Sequence, residues 1–318
     1  VSELPYWIEQ WLLEGECRLQ SPRTHETRRI FLKNLRWFLE QRDMAMCGPS
    51  ELRQFFAYLA HGHKEPGGRW GQGRHNKPLR PVSIKDYHWC LRAFFGWLHE
   101  NDVIETHPMA SIPQPIVRTD QKPPLSPEQV QALLLAARKG AHARRDEAIV
   151  LFLLDTGVRA SELVSIQMQD LDISGRRCRV LGKGNKYRTV FLGRETTRVL
   201  LHYLRGDKRK PQDPVFVAER SRNVREPLTR SGLQQIIRKH ARAAGIGQPV
   251  SPHGLRRTFA VEILKNGANV FSLREMLGHT NLQMTQKYLL LAQADVEDQH
   301  RLYSPADSFE RKLSKQRR

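Results

Sequence analysis

Cysteine is scarce in this sequence and never paired. Cys17, Cys47, Cys90 and Cys178 stand far apart, with no Cys-x-x-Cys and no histidine cluster beside them, so neither a zinc site nor a disulfide framework is expected. Long apolar runs are missing too. None approaches the roughly 20 residues of a membrane span, and the N-terminus lacks the basic stretch and apolar core of a secretory signal. These absences predict an intracellular protein in a reducing compartment, with no membrane partner. Acid is the third shortage: 33 Asp and Glu face 52 Lys and Arg, a formal charge of +19 over 318 residues. A field of that sign gathers polyanions at the surface, which makes nucleic acid the leading partner and a generally cationic, ribosomal-type surface the alternative.

The length fits two domains, and hydrophobic residues at 39% suffice for two ordinary cores. Helical periodicity marks residues 3–19, 24–42, 50–60 and 82–100, a bundle of four helices or slightly more. In the second of these, Ile30, Leu32, Leu35, Trp37, Phe38 and Leu39 mark the expected buried side, with Ser21 or Thr24 as its cap. Residues 61–81, HGHKEPGGRWGQGRHNKPLRP, read as a long loop, in which Arg69, Arg74, Lys77 and Arg80 around Trp70 suit either phosphate contacts or a solvated surface. PQPIVRTDQKPP, 113–124, reads as a semi-rigid linker. The expected division is therefore 1–112, linker 113–124, and 125–318.

The second domain opens with helices near 126–139 and 144–155. Two strands, Cys178–Leu181 and Thr189–Leu192, flank GKGNKYR as a hairpin, and helices return at 195–205, 229–244, 254–266, 270–277 and 281–293. Five sites in this half carry chemistry. In DTGVRASEL, Gly157 fits a tight turn, and Arg159 and Glu162 share a helix face; the pair reads as a steadied phosphate clamp or as a surface ion pair. Lys183 and Lys186 sit on the hairpin turn, where a lysine can protonate a leaving oxygen, neutralise a phosphate or simply aid solubility. In SPHGLRRTFA, His253 and Arg256 stand three apart on one face, a proton-transfer group beside a bidentate cation. In LGHTNLQMTQKY, Gly278 can cap one helix and Thr280 to Gln283 can box the next; His279 then lies at a corner and Tyr288 about two turns beyond. Each of these has an ordinary structural explanation when taken alone.

In this order, Arg159, Lys183, His253, Arg256, His279 and Tyr288 resemble the active-site set of the tyrosine recombinase (phage integrase) family. The spelling is nearest the simple bacterial Xer-type and mobile-element recombinases. TGVRASEL resembles the first arginine box, GKGNKYR the β-hairpin lysine, SPHGLRRTFA the H-x-x-R box, and LGHTNLQMTQKY the second histidine and the tyrosine. The resemblance covers residues 125–290; the first domain is similar to the family's helical, SAM-like core-binding domain in size and helix pattern alone.

The resemblance implies a mainly α fold with a small β-sheet, its helical core-binding and catalytic domains forming a C-shaped DNA clamp. It implies phosphodiester chemistry without metal or other cofactor. Tyr288 would attack the scissile phosphate to leave a 3′-phosphotyrosyl link and a free 5′-hydroxyl. Arg159 and Arg256 would neutralise the phosphate, Lys183 would protonate the departing oxygen, His253 would assist proton movement, His279 would hydrogen-bond the phosphate, and Glu162 would support. Arg69, Arg74, Lys77, Arg80, Lys186 and Arg188 are the further DNA-contact candidates. The implied partners are double-stranded DNA with inverted-repeat core sites and three further copies in a homotetramer on two duplexes, with accessory DNA-binding proteins left open. Strand exchange would run through a Holliday junction in the bacterial cytoplasm, at the nucleoid.

The long 61–81 loop and the extended segment after Tyr288 point to a mobile-element enzyme of integration, excision or resolution. If residue 1 is the true start, no arm-binding domain precedes it and core sites alone are bound. Two rivals use the same fold: a type IB topoisomerase, and a DNA-binding regulator that never cuts.

Overall fold

The protein is described by a computed structural model covering residues 3–62, 67–73, 76–117, 123–182, 186–218, 226–279, 281–292 and 304–306. The chain divides into two compact units, Val1–Gln121 and Lys122–Arg318.

In the first unit, α1 (Leu4–Cys17), α2 (Pro22–Glu40), α3 (Pro49–Ala60) and α4 (Pro81–Glu100) each carry proline in the first two helical positions. There the missing N–H has no intrahelical partner to lose and the fixed φ already suits a helix. Ser21 caps α2 by accepting from the Thr24 backbone N–H at 3.2 Å, and Glu51 accepts from the Gly48 backbone N–H at 2.8 Å to close the start of α3. Leu32, Leu35, Phe38 and Leu39 of α2 enter the core, but Ile30 is 47% exposed and Trp37 half-buried. Ile30 stands roughly 200° round the helix from Leu32, which is why it misses the core face. Aromatic edges fill the interior, among them Phe38 on Phe55 at 5.2 Å and Trp11 on Phe94 at 5.5 Å.

The loop after α3 departs from expectation. Arg69–Gly71 form a short 3-10 turn, and the Trp70 ring packs against Tyr58 at 5.4 Å and Trp37 at 5.7 Å. Arg69 is drawn in beside it, 4% exposed and donating to the Lys77 carbonyl. Its assignment to DNA phosphates is therefore corrected: in this unit it ties the loop to itself. Lys77 and Arg80 are exposed, and Arg74 lies outside the described residues.

The second unit is built on α6 (Ala143–Thr156), with α5 (Pro127–Arg138), α8 (Arg194–Leu204) and α10 (Pro252–Lys265) packed against it. Ser126 and Gln129 cap α5 reciprocally, Ser126 Oγ accepting from Gln129 N and Gln129 Oε1 from Ser126 N. Three antiparallel strands, β1 (Leu171–Asp172), β2 (Arg177–Leu181) and β3 (Tyr187–Phe191), lie in sequence order. Cys178 and Val180 of β2 and Val190 of β3 join the core through alternate positions. The short α7 (Ala160–Val164) precedes the sheet, and α9 (Arg230–Ala243), α11 (Val270–Leu277) and α12 (Gln283–Ala292) complete the unit. A satellite core of Phe259, Val261, Leu264, Leu273, Leu277 and Tyr288 joins α10, α11 and α12. The architecture is mainly helical with one small sheet; β1, two residues long, was not foreseen. Among the described residues no helix is long and apolar enough to cross a membrane.

Candidate active site

Two left-handed glycines set the positions of two arginines. α6 ends at Gly157, φ 59°, where an added Cβ would lie 2.2 Å from the Phe259 ring, so only glycine fits. Two residues on, Arg159 takes the N-cap position of α7, and its backbone N–H donates to Glu162 Oε2 at 2.7 Å. α11 ends at Gly278, φ 63°. There His279 N–H donates to the Arg274 carbonyl and Gly278 N–H to the Glu275 carbonyl, the reciprocal pair of a Schellman ending.

The next three carbonyls of α11 would be left without donors. Three arginines from three different elements take them. Arg188 Nε of β3 donates to the Met276 carbonyl at 3.0 Å, Arg256 Nη2 of α10 to Leu277 at 2.7 Å, and Arg159 Nη2 to Gly278 at 3.3 Å. Cations at a helix C-terminus are favoured by its dipole as well. Arg256 also donates through Nη1 to the Gly157 carbonyl at 2.6 Å, so each glycine turn holds one of the two family arginines.

Glu162 lies between Arg159 and Arg188. Its side chain is 2% exposed; Oε1 accepts from Arg159 Nη1 and Arg188 Nη1, both at 2.8 Å, and Oε2 from Arg188 Nη2 at 2.9 Å. Burial alone would raise its pKa, but the hydrogen bonds from Arg188 and Arg159 bring it down to about 2. The Arg159–Glu162 pair is thus no exposed surface ion pair. Burial, and then the charge of Arg159, lower Arg256 to about 10, still a cation at neutral pH.

Arg188 is a second correction. Instead of an exposed DNA contact it is a half-buried strut committed to Glu162 and Met276. Strand alternation explains this: Arg188 shares a face with Val190 and sits opposite Val180, on the core side of the sheet. Lys186 is exposed at the base of the hairpin turn, and its carbonyl accepts from Gly182 N–H at 2.9 Å. Lys183 lies outside the described residues.

His279 follows the α11 turn directly. Its Nε2 lies 3.0 Å from Arg256 Nη2, its Nδ1 2.9 Å from Thr285 Oγ1, and its ring stacks on Tyr288 with centroids 6.3 Å apart. Desolvation and the nearby Arg256, Arg159, Arg188 and His253 push its pKa down to about 4, so it is neutral at pH 7. Tyr288, on α12, is 8% exposed. Thr280 is outside the described residues; Asn281 Oδ1, accepting from Gln283 N–H at 2.9 Å, supplies the side-chain acceptor at the start of α12. His253, in the first turn of α10 behind the Ser251 cap, is exposed, and partial desolvation with Arg257, Arg256 and Arg159 lowers its pKa. Arg159, Arg256, His253, His279 and Tyr288 therefore form one neighbourhood around the end of α11. Among the described residues there is no group of three or more His, Cys, Asp and Glu able to hold a metal ion.

Residues 124–294 match the phage integrase family. The chain belongs to the phage integrase family. A tyrosine recombinase XerD of Listeria monocytogenes serotype 4b (strain F2365) is 30% identical over 290 residues, 88% of this chain and 92% of that protein. The XerD of Pseudomonas putida KT2440 is 33% identical over 238 residues, covering 73% of this chain and 78% of its own. Among solved structures, the integrase of transposon Tn1549 in complex with a circular intermediate DNA matches with TM-score 0.68 at 20% identity, over 89% of this chain and 94% of that one. A lambda integrase dimer bound to a COC′ core site matches with TM-score 0.68 at 16% identity, over 88% and 96%. Those two likenesses concern the fold. By membership this phage integrase family protein is an enzyme that breaks and rejoins DNA strands in site-specific recombination.

The motifs offer Arg188 as a DNA contact and do not give it its bracing role, and they do not single out Thr285. Arg188 was legible from the alternation of Arg188, Val190 and Leu192, which puts an arginine on an apolar face. Thr285 was legible only as the residue one helical turn before Tyr288.

Proposed function

We propose that Tyr288 is the nucleophile of this recombinase, with Arg159 and Arg256 as the phosphate clamp. The observation that carries this reading is the convergence of two arginines, two histidines and one tyrosine on the end of α11, with Glu162 and Arg188 bracing the first arginine. The Tyr288 Oη forms the bond to phosphorus and loses its proton, the bond to the 5′ oxygen breaks, and that oxygen leaves with a proton as a hydroxyl. The negative charge that builds on the non-bridging oxygens meets guanidinium donors already held in place by backbone carbonyls, so little reorganisation is needed at the moment of reaction. His253, exposed and below its ordinary pKa, is the group for proton movement, and Lys183 the acid for the leaving oxygen. Because the phosphotyrosyl ester keeps the phosphodiester energy, rejoining to another strand needs no nucleotide.

The substrate in this reading is double-stranded DNA with inverted-repeat core sites, bound through phosphates and so sensitive to salt. Four copies act on two duplexes in the bacterial cytoplasm, for integration, excision or resolution of a mobile element. The +19 charge and the DNA-bound structural neighbours support the nucleic-acid partner.

The test is a nicked suicide duplex carrying sequence that flanks the gene, run on a denaturing gel. Wild type is expected to give a covalent adduct that Tyr288→Phe abolishes. Salt-sensitive binding without any adduct would instead favour a regulator that does not cut.

A further inference from the structure

We propose that Thr258 is a positioning residue that couples the segment joining the two units to α10, the helix that carries His253 and Arg256. Its hydroxyl stands at a junction. The Leu125 backbone N–H donates to Thr258 Oγ1 at 3.0 Å, and Thr258 Oγ1 donates in turn to the Gly254 carbonyl, one turn back on α10, at 3.1 Å. An amide N–H can only donate, so the hydroxyl proton is left for the carbonyl and both bonds hold at once. Thr258 is 2% and Leu125 5% exposed, and Leu125 belongs to the core of the second unit. A second tie reinforces the first: Gln248 Nε2, three residues before the Ser251 cap of α10, donates to Gln129 Oε1 of α5 at 3.1 Å. The chain thus enters the second unit fastened to α10 and to the residues that lead into it. Thr258 follows Arg256 by two positions, roughly 200° round the helix, so one face of α10 holds the entering chain and the other aims Arg256 at the Gly157 and Leu277 carbonyls. Gly254, whose carbonyl Thr258 takes, is next to His253 in the first turn.

The entering chain is stiff. Pro113, Pro115, Pro123 and Pro124 fall within residues 113–124, and a proline-rich segment behaves as a semi-rigid spacer rather than a slack coil. At its other end, within the first unit, Ile112 is buried with its carbonyl accepting from His88 Nε2 of α4 at 3.1 Å, and Arg53 of α3 donates to Ser111 Oγ at 3.2 Å. Anchors at Ile112 and Leu125 leave only the spacer between them. A displacement of the first unit on DNA is therefore delivered at Leu125 and, through Thr258, to the helix of the phosphate clamp. Anchoring the spacer in the core alone would need the Leu125 side chain and no hydroxyl.

The coupling stands apart from the catalytic reading; its effect on rate rests on that reading. The experiment uses the full chain and three variants: Thr258→Val, which keeps the shape without the hydroxyl, Thr258→Ser, which keeps the hydroxyl, and a linker variant with Gly-Ser-Gly-Ser inserted after Asp120. Amide hydrogen exchange is read by mass spectrometry with and without the suicide duplex. Wild type and Thr258→Ser are expected to protect the Leu125 amide and to gain protection across residues 252–258 when DNA binds; Thr258→Val and the insertion are expected to lose that gain. On the same duplex at saturating concentration, Thr258→Val is expected to form adduct about three- to tenfold more slowly with DNA affinity unchanged, the scale of coupling within one hydrogen-bonded network. Thr258→Ser should restore the rate. Adding the insertion to Thr258→Val should slow it no further, since both break one connection. No DNA-induced gain in wild type, an equal gain in the valine variant, or rate losses that simply multiply in the double variant overturns the proposal. If the valine variant does not fold, the insertion decides, and a gain as large as that of wild type overturns it. If wild type forms no adduct, the catalytic reading falls while exchange still tests the coupling.

Discussion

Among the described residues, the two units differ in how their buried charged side chains are held. In the first, both ring nitrogens of His25, Nε and Nη1 of Arg69, and Nδ1 of His88 are buried without a hydrogen-bond partner among the described residues, as is the Tyr203 hydroxyl of the second unit, and the Phe56 ring lies 5.8 Å from that of His88. In the second, buried charge is bonded at several atoms. Glu162 accepts from two arginines and a backbone N–H; Asp146 accepts from Arg145 at 2.8 Å and from His240 at 2.7 Å; Arg256 reaches two carbonyls and an imidazole. A fully satisfied network fixes one arrangement of its members, and catalysis needs that fixity where apolar packing would supply stability alone. In the second unit such networks hold charge at two places, the arginine cluster at the end of α11 and the Asp146 pair, and the difference between those two is what the variants below test.

The comparison breaks most visibly at Glu162. Glu162→Ala should destabilise the protein by about 3–5 kcal/mol, because Arg159 and Arg188 are left facing each other without their shared counter-charge. Urea unfolding measures the loss, and adduct formation should vanish with it. Asp146→Ala should be smaller, about 3 kcal/mol, as Arg145 keeps the Val217 carbonyl. At temperatures where that variant stays folded, its adduct rate should match wild type, which separates a structural network from the catalytic one.

A pH series sharpens the same contrast. His279 has a folded pKa of about 4 against an ordinary 6.5, so the unfolded chain binds its proton first as pH falls. Its contribution is complete above pH 6.5 and is lost on descending toward 4; His253 acts in the same direction. Urea midpoints should fall between pH 7.5 and 5, and His279→Gln should flatten that slope. The smallest effect is expected in the first unit. Arg69→Met, which exchanges an incompletely bonded guanidinium for an apolar side chain, should change stability by less than about 1 kcal/mol and leave salt-sensitive DNA binding intact.

Much of this was legible in the sequence. Helices in both units are marked by proline at their starts and by apolar periodicity, and Gly157 and Gly278 announce their turns because no other residue suits a left-handed position packed against a side chain. The motif spacing placed His279 at a corner and Tyr288 down the next helix. What escaped was tertiary. Arg69 follows Trp70 into an aromatic floor contributed by α2 and α3, which local charge does not reveal. The Schellman ending of α11 was implied by Gly278, yet nothing local shows that arginines from three other elements would take its remaining carbonyls. The two-residue β1 is too short to carry a period.

The central claim is that this arginine-braced corner delivers Tyr288 to a phosphodiester. The direct measurement is mass mapping of tryptic peptides from the protein–DNA adduct formed on the suicide duplex and trimmed by nuclease. The account predicts a nucleotide mass on the peptide that begins at Tyr288, absent from Tyr288→Phe. A nucleotide on any other residue, or an adduct that survives in Tyr288→Phe, would contradict it.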